Sequence, residues 1–195
     1  MQLSGALRSI SIWRGWENTN KKMAEVTNSN LIQNTAGIRK QDACVVIVRT
    51  DWNAAVVDEL EKGCIKILHE NGINSIKTLT VPGAVEIPFI IHKYWDTFKY
   101  KDNRPECFIA LGCVIKGGTP HFDYVCLSVT QGITRLNLDL PVPVIFGVLT
   151  VDSQQQADER IGGIHGHKGE EAAYTAIKMM SAVRSLSAQK SNNNK

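Results

Sequence analysis

The sequence predicts a three-layer α/β sandwich, in which a four-stranded parallel sheet carries helices on both faces. Three observations predict it. Apolar, β-branched runs alternate four times with stretches of helical periodicity. The first run, "ACVVIVRT", is a continuous β-branched stretch instead of an alternating one, as a strand buried on both faces requires. The connections are short, so each strand returns parallel to the last through a helix.

The run "ACVVIVRT" from Ala43 supplies the first strand. Asn53 is placed to cap a helix in which Val56, Val57, Leu60, Cys64, Ile67 and Leu68 recur at helical spacing, and Asn71-Gly72 ends it. "SIKTLTV" is a second strand and "PGAVEIPFIIHKYW" a turn followed by a second helix. "CFIALGCVI" gives the third strand, "HFDYVCLSVTQGITRLNLDL" the third helix and "PVIFGVLTV" the fourth strand. Ser153 and Gln156 form a capping-box pair at the head of a short helix, "IGGIHGHKG" breaks it, and "EEAAYTAIKMMSAVRSL" makes the last one. The order is that of a flavodoxin-like fold, in which ligands bind at the carboxyl ends of the strands.

A chain of 195 residues, 43% apolar and 21% charged, has room for one such domain and not for two large ones. Residues 1–40 read as a polar leader and arm, poorly ordered without a partner, residues 41–188 as the α/β domain, and 189–195 as a frayed tail. Arg8, Arg14 and the absence of acids before Glu17 give the first 22 residues a faint likeness to an organellar presequence, and Met23 offers a second start. The net charge of +3 belongs to the ends: residues 41–188 hold 14 basic against 17 acidic residues, which argues against a nucleic-acid groove. No apolar run is long enough to cross a bilayer. Five cysteines without a CxxC, set mostly in apolar runs, read as buried thiols of a reducing, cytoplasmic compartment.

The segments leaving the strands carry the unusual chemistry, and one mouth is expected to gather them. Trp52 and Asn53 follow the first strand, Ala84, Val85 and Glu86 the second, and Lys116 to His121 the third. Arg160, His165, His167 and Lys168 follow the fourth. Gly117, Gly118 and Thr119 lead into a helix start, where backbone N–H groups and the helix dipole suit an anion. Arg160 and Lys168 are complementary phosphate ligands. His121 at a helix entrance suits proton exchange. Trp52 either packs in the core or stacks on a planar heterocycle. Glu86, inside "AVEIPF", needs either an internal partner or bound hydroxyls. His165 and His167, with no acid or cysteine to complete a set, fit loop structure better than a metal site. Asp123 and Asp152 read as helix-start charges.

"VPGAVEIP", "ALGCVIKGGTPHFDYV", "PVIFGVLTVDSQQQADER" and "GHKGEEAA" closely resemble the lumazine synthase family of riboflavin biosynthesis, over about Ala43 to Arg184. The resemblance implies a transferase that condenses 5-amino-6-(D-ribitylamino)uracil with 3,4-dihydroxy-2-butanone 4-phosphate to 6,7-dimethyl-8-ribityllumazine, the penultimate step of that pathway. It releases phosphate and water and needs no cofactor and no metal. By position, His121 and Lys168 match the family's catalytic side, and Arg160, Gly118 and Thr119 its phosphate site. Trp52 and Asn53 match the ring-stacking segment, Ala84, Val85 and Glu86 the ribityl-binding segment, and Val114, Ile115 and Lys116 the ring pocket. Phe146 matches an aromatic that reaches the site from a neighbouring subunit. The implied partners are therefore further copies of the chain, as a pentamer, a decamer or a sixty-subunit shell, with riboflavin synthase as a candidate associate. Three positions depart from the pattern: Val85 where an aromatic is common, Lys116 where arginine is frequent, and "GGIHGHKG" where "GTKAGNKG" is usual.

Two other classes compete. A binding or shell protein would keep Trp52 and Glu86 but has no need of His121, Arg160 and Lys168, all of which are present. A flavodoxin-like electron carrier needs a Ser/Thr/Gly-rich first loop, and "RTDWNAA" is not one.

Overall fold

The computed structural model describes Leu31 and residues 43–192, with side chains as far as Gln189. The leader and arm expected over residues 1–40, Leu31 apart, lie outside the described residues. Elements follow in the order β1 (Cys44–Thr50), α1 (Ala54–Glu70), β2 (Ser75–Val81), α2 (Ile87–Phe98), β3 (Cys107–Ile115), α3 (His121–Asp139), β4 (Val144–Val151), α4 (Gln154–Asp158), β5 (Ile161–Gly163), β6 (Gly166–His167) and α5 (Lys168–Asn192). A single 3-10 turn, Ala84–Glu86, leads into α2.

The four long strands form one parallel sheet in the order β2-β1-β3-β4, with Val45 beside Cys107 and Phe108 beside Val144. This is the flavodoxin-like order, and its direction reverses between β1 and β3. Apolar residues run without a break along β1 and β3 because both faces are covered. Val45 and Ile47 enter a core shared with α1 and α5, while Val46 and Val48 enter a second core shared with α2 and α3. Ile109 and Leu111 of β3 join the first core, and Phe108 and Ala110 the second. Fully burying each such side chain contributes about 1.5–3 kcal/mol. The edge strand β2 is half exposed, and its Lys77 and Thr80 face solvent.

Arg49 ties α1 to the sheet, donating to Asp58 at 2.5 Å and Glu61 at 2.6 Å. Glu61 in turn accepts from Thr78 of β2 at 2.8 Å. Helices α1 and α5 cross so closely that a side chain at the crossing has no room. A Cβ added at Gly169 would sit 2.0 Å from the Leu60 carbonyl oxygen.

Three local expectations are corrected. Asn53 occupies the N-cap of α1, but its side chain makes no capping bond; it is drawn across the sheet instead. Ser153 accepts from Gln156 N at 3.3 Å, yet the Gln156 side chain reaches back to Asp152 N at 3.0 Å, one residue beyond the expected cap. The glycine-rich break after α4 is a small antiparallel hairpin, β5-β6, with Gly162 and Gly166 at φ of 115° and 76°. Helix α5 continues to Asn192, and neither Gly nor Pro follows Gly169 to stop it.

All five cysteines are free, and four are buried. Burial pushes the Cys64 thiol up to about 12. Among the described residues no helix is long and apolar enough to cross a membrane.

Two glycines allow a direct check on this packing. Gly169→Ala is expected to cost about 1–3 kcal/mol, because backbone and not a mobile side chain fills the space. Gly117→Ala, where an added Cβ meets nothing within 4 Å, is expected to leave stability unchanged. Denaturant unfolding of both variants measures the difference.

Candidate active site

The chain leaves β1 beside the chain leaving β2. Asp51 N donates to the Val81 carbonyl at 2.9 Å and Trp52 N to the Pro82 carbonyl at 3.2 Å, so the ladder continues past both strand ends. Asn53 then turns into the left-handed region, φ 58° and ψ 42°. An asparagine tolerates that conformation better than most residues. Its Nδ2 donates to the Cys113 carbonyl at 2.8 Å, across the point where strand order reverses, and its own carbonyl accepts from Val56 N and Val57 N to start α1.

Above this cross-link lies a cavity of about 540 Å³, large enough for a small-molecule ligand. Trp52 and Asn53 line one side, and the turn Gly83–Glu86 another. Cys113, Val114 and Ile115 form the floor, and His121 and Val125 of α3 close it. Trp52 is 72% exposed, so its indole is not core packing but an open apolar surface at the cavity wall. Glu86 is exposed as well, with no buried partner to balance. Its Oε2 accepts from Gly83 N at 2.9 Å, which fixes the carboxylate. His121 is the first residue of α3 and is exposed on the cavity side. Cys113 is no candidate nucleophile, because burial pushes its thiol up to about 11 and it stays protonated at neutral pH.

Lys116 points outward at the mouth, with its ammonium 3.8 Å from the Asp152 carboxylate. Gly117, Gly118 and Thr119 are exposed between it and α3. A Cβ added at either glycine would meet nothing within 4 Å, and neither has a left-handed φ. Nothing within the chain demands glycine there.

Phe146, Arg160 and Lys168 do not join this cavity. The expectation of one mouth fails within a single chain for Arg160 and Lys168, and the reason is the path taken after β4; Phe146 is the residue expected from a neighbouring subunit. Ala157 and Ile161, on either side of Arg160, are anchored in the α1/α5 core, on the opposite face of the sheet from Ala84, Val114 and Val125. Arg160 is itself buried and donates to the Gln156 carbonyl at 2.7 Å. Its carbonyl accepts from Lys168 N at 2.8 Å, which places the two cations at neighbouring corners of one hairpin. Phe146 and Lys168 line a second cavity of about 480 Å³ along the free edge of β4. Phe146 is 41% exposed there.

His165 and His167 belong to the loop. His165 N donates to the Glu159 carbonyl at 3.0 Å, and the His167 ring fills the space above Gly63, whose added Cβ would lie 2.2 Å from it. Among the described residues no group of three or more His, Cys, Asp or Glu is placed to hold a metal ion. Asp123 is exposed in the first turn of α3, and Asp152 stands exposed beside Lys116.

Sequence reasoning passed over Val125 and Glu171. Glu171 pairs with Lys168 at 2.8 Å one turn along α5, a spacing of three that the sequence already displays.

The family model for 6,7-dimethyl-8-ribityllumazine synthase matches residues 42–184. The 6,7-dimethyl-8-ribityllumazine synthase of Porphyromonas gingivalis is 44% identical over 146 residues, covering 74% of this chain and 88% of its own. Those of Bacteroides fragilis and Streptomyces avermitilis are each 43% identical, covering 72% and 75% of this chain and 96% and 88% of theirs. With the parallel sheet, the cavity at its switch point and the sequence match in agreement, the chain belongs to the 6,7-dimethyl-8-ribityllumazine synthase family, transferase-class enzymes of riboflavin biosynthesis.

Proposed function

We propose that the enzyme condenses 5-amino-6-(D-ribitylamino)uracil with 3,4-dihydroxy-2-butanone 4-phosphate to give 6,7-dimethyl-8-ribityllumazine, phosphate and water. The observation that carries this reading is the single cavity that unites an exposed indole, a fixed carboxylate and a helix-start histidine. The Trp52 indole supplies the flat surface on which a pyrimidinedione stacks, with Val114 and Ile115 against its edge. Glu86 has one oxygen held by Gly83 N–H and leaves the other to accept from ribityl hydroxyls. The backbone of Ala84 and Val85 runs alongside. Asn53 is committed to the Cys113 carbonyl and shapes the ring pocket from below.

The aromatic amine attacks the ketone carbonyl and one water leaves as the Schiff base forms; elimination then expels phosphate, and the ribitylamino nitrogen attacks the carbonyl that results, closing the ring with loss of a second water. His121 sits where it can carry the protons of these steps. Gly117 and Gly118, which the fold does not require, let an anion approach the backbone N–H groups at the start of α3, with the Thr119 hydroxyl as a further donor. Lys116 at the mouth adds a cation.

In this reading Phe146, Arg160 and Lys168 complete the cavity from a neighbouring copy. The place of Phe146 and Lys168 on the β4 edge, with Arg160 beside Lys168 on the hairpin and all three away from the cavity of their own chain, supports it. So do the exposed Phe146 and Met179 on that edge, 41% and 43% accessible. The assembly is a homopentamer, alone or as the unit of a decamer or sixty-subunit shell, acting in the cytoplasm with riboflavin synthase as a candidate associate. No cofactor enters the reaction.

Because the two substrates react slowly unaided, the protein's share is mainly orientation and phosphate placement. His121→Ala is expected to lower kcat by no more than about a hundredfold, the lower end for acid–base groups. Arg160→Lys, which keeps the charge but loses the planar fork, is expected to raise KM for the phosphate substrate about tenfold. Steady-state kinetics checks both, and an unchanged KM for Arg160→Lys sinks the phosphate role.

Shared sites predict complementation. Co-expressed His121→Ala and Arg160→Ala chains are expected to form mixed assemblies more active than either variant alone, since some interfaces then hold an intact histidine and an intact arginine. Sites built within one chain would give no gain.

A further inference from the structure

The inference concerns Glu171 and rests on the reading of Lys168 as a phosphate ligand. The Lys168 ammonium is held 2.8 Å from Glu171 Oε2. The other carboxylate oxygen, Oε1, is buried and has no hydrogen-bond partner. Both side chains line the groove along the β4 edge. A carboxylate kept for stability alone is poorly served by this arrangement, since a buried oxygen without a donor is costly to retain. What the arrangement does provide is a negative charge one contact away from the anion-binding cation.

We infer that Glu171 is an affinity-setting residue: it shares the Lys168 ammonium with the substrate's phosphate and keeps that phosphate, and the inorganic phosphate left after elimination, from being held too tightly. Geometry fixes the scale. A phosphate in contact with Lys168 Nζ lies within about two contact lengths of Oε2, well inside the screening distance of about 8–10 Å in ordinary buffer. Over that separation in a partly buried groove, repulsion between the two anions outweighs the small benefit of tethering a lysine, which for partly exposed pairs is worth little. Removing the charge while keeping the shape should therefore tighten phosphate binding, whereas a purely structural Glu171 predicts no change or a loss.

Calorimetric titration of the assembled protein with inorganic phosphate decides between these. Glu171→Gln is expected to tighten phosphate binding about tenfold, with the gain shrinking as salt rises. KM for the phosphate substrate falls in parallel and inhibition by product phosphate deepens. KM for the uncharged uracil substrate stays where it was. Unchanged or weakened phosphate binding overturns the inference. A second comparison does not depend on that variant alone: Lys168→Gln, which strands the Glu171 charge, is expected to bind phosphate more weakly than the Lys168→Gln/Glu171→Gln double variant, and the reverse order overturns the inference as well. A wild-type protein that forms no lumazine refutes the proposed reaction and leaves the calorimetric result standing on its own.

Discussion

The hydrogen bond from Asn53 Nδ2 to the Cys113 carbonyl, 2.8 Å long, spans the place where the sheet reverses its strand order. A parallel sheet covered on both faces can present polar groups to a ligand only at its carboxyl edge, and at the switch point the connections diverge and leave a crevice. That crevice is also where backbone groups lose their ladder partners. The Cys113 carbonyl is satisfied by Asn53, and the left-handed turn this demands sends Trp52 outward and starts α1 in the same step. The open indole, the helix start and the cavity floor are thus three results of one side-chain commitment. An alanine at 53 has neither the carboxamide nor the tolerance for φ of 58°.

Much of this was legible in the sequence because the signals are local. Val56, Leu60, Cys64 and Ile67 announce α1 by spacing alone, and the unbroken apolar runs of β1 and β3 announce burial on two faces. Trp52, Glu86 and His121 meet Val114 in one cavity because the three follow strands at their carboxyl ends and Val114 sits near the carboxyl end of β3, and topology does the rest. The same rule misplaced Arg160 and Lys168. Both also follow a strand, but β4 is at the sheet's edge, where the chain is free to wrap onto the other face, and Ala157 and Ile161 are the apolar anchors that take it there. Asn53 illustrates a different blind spot: a capping residue and a cross-strand donor look identical in sequence, and only the position of Cys113 decides between them.

The division of the site residues between two cavities goes with the surfaces that the chain leaves exposed. Helix α3 buries only Val129, Ile133 and Leu136 along its length, while Tyr124, Leu127 and Leu138 stay exposed. The β4 edge leaves its outer backbone groups unpaired by any described strand and carries Phe146 beside them. Exposed edges and apolar side chains of this kind are what a monomeric protein avoids and an assembling one uses. The proposed sharing of the site between copies gives those surfaces an occupant and brings the hairpin cations to the cavity they cannot reach within their own chain.

Charge supplies the last constraint. Residues 41–188 hold more acids than bases, so their long-range field does not draw an anion in. Lys116 stands 3.8 Å from Asp152, Lys168 is paired with Glu171 at 2.8 Å, and Arg160 is buried against the Gln156 carbonyl. None of the three is a bare cation on an open basic face, and polyanions such as nucleic acid find no continuous stripe to track. A small phosphate monoester differs, because the proposed site would recognise it over one or two contact lengths by a guanidinium fork, an ammonium and backbone N–H groups at a helix start. In the proposed reading, selectivity for a small anion over a large one follows from holding Lys116, Lys168 and Arg160 each in a local compromise with a neighbour that only a closely fitted anion displaces.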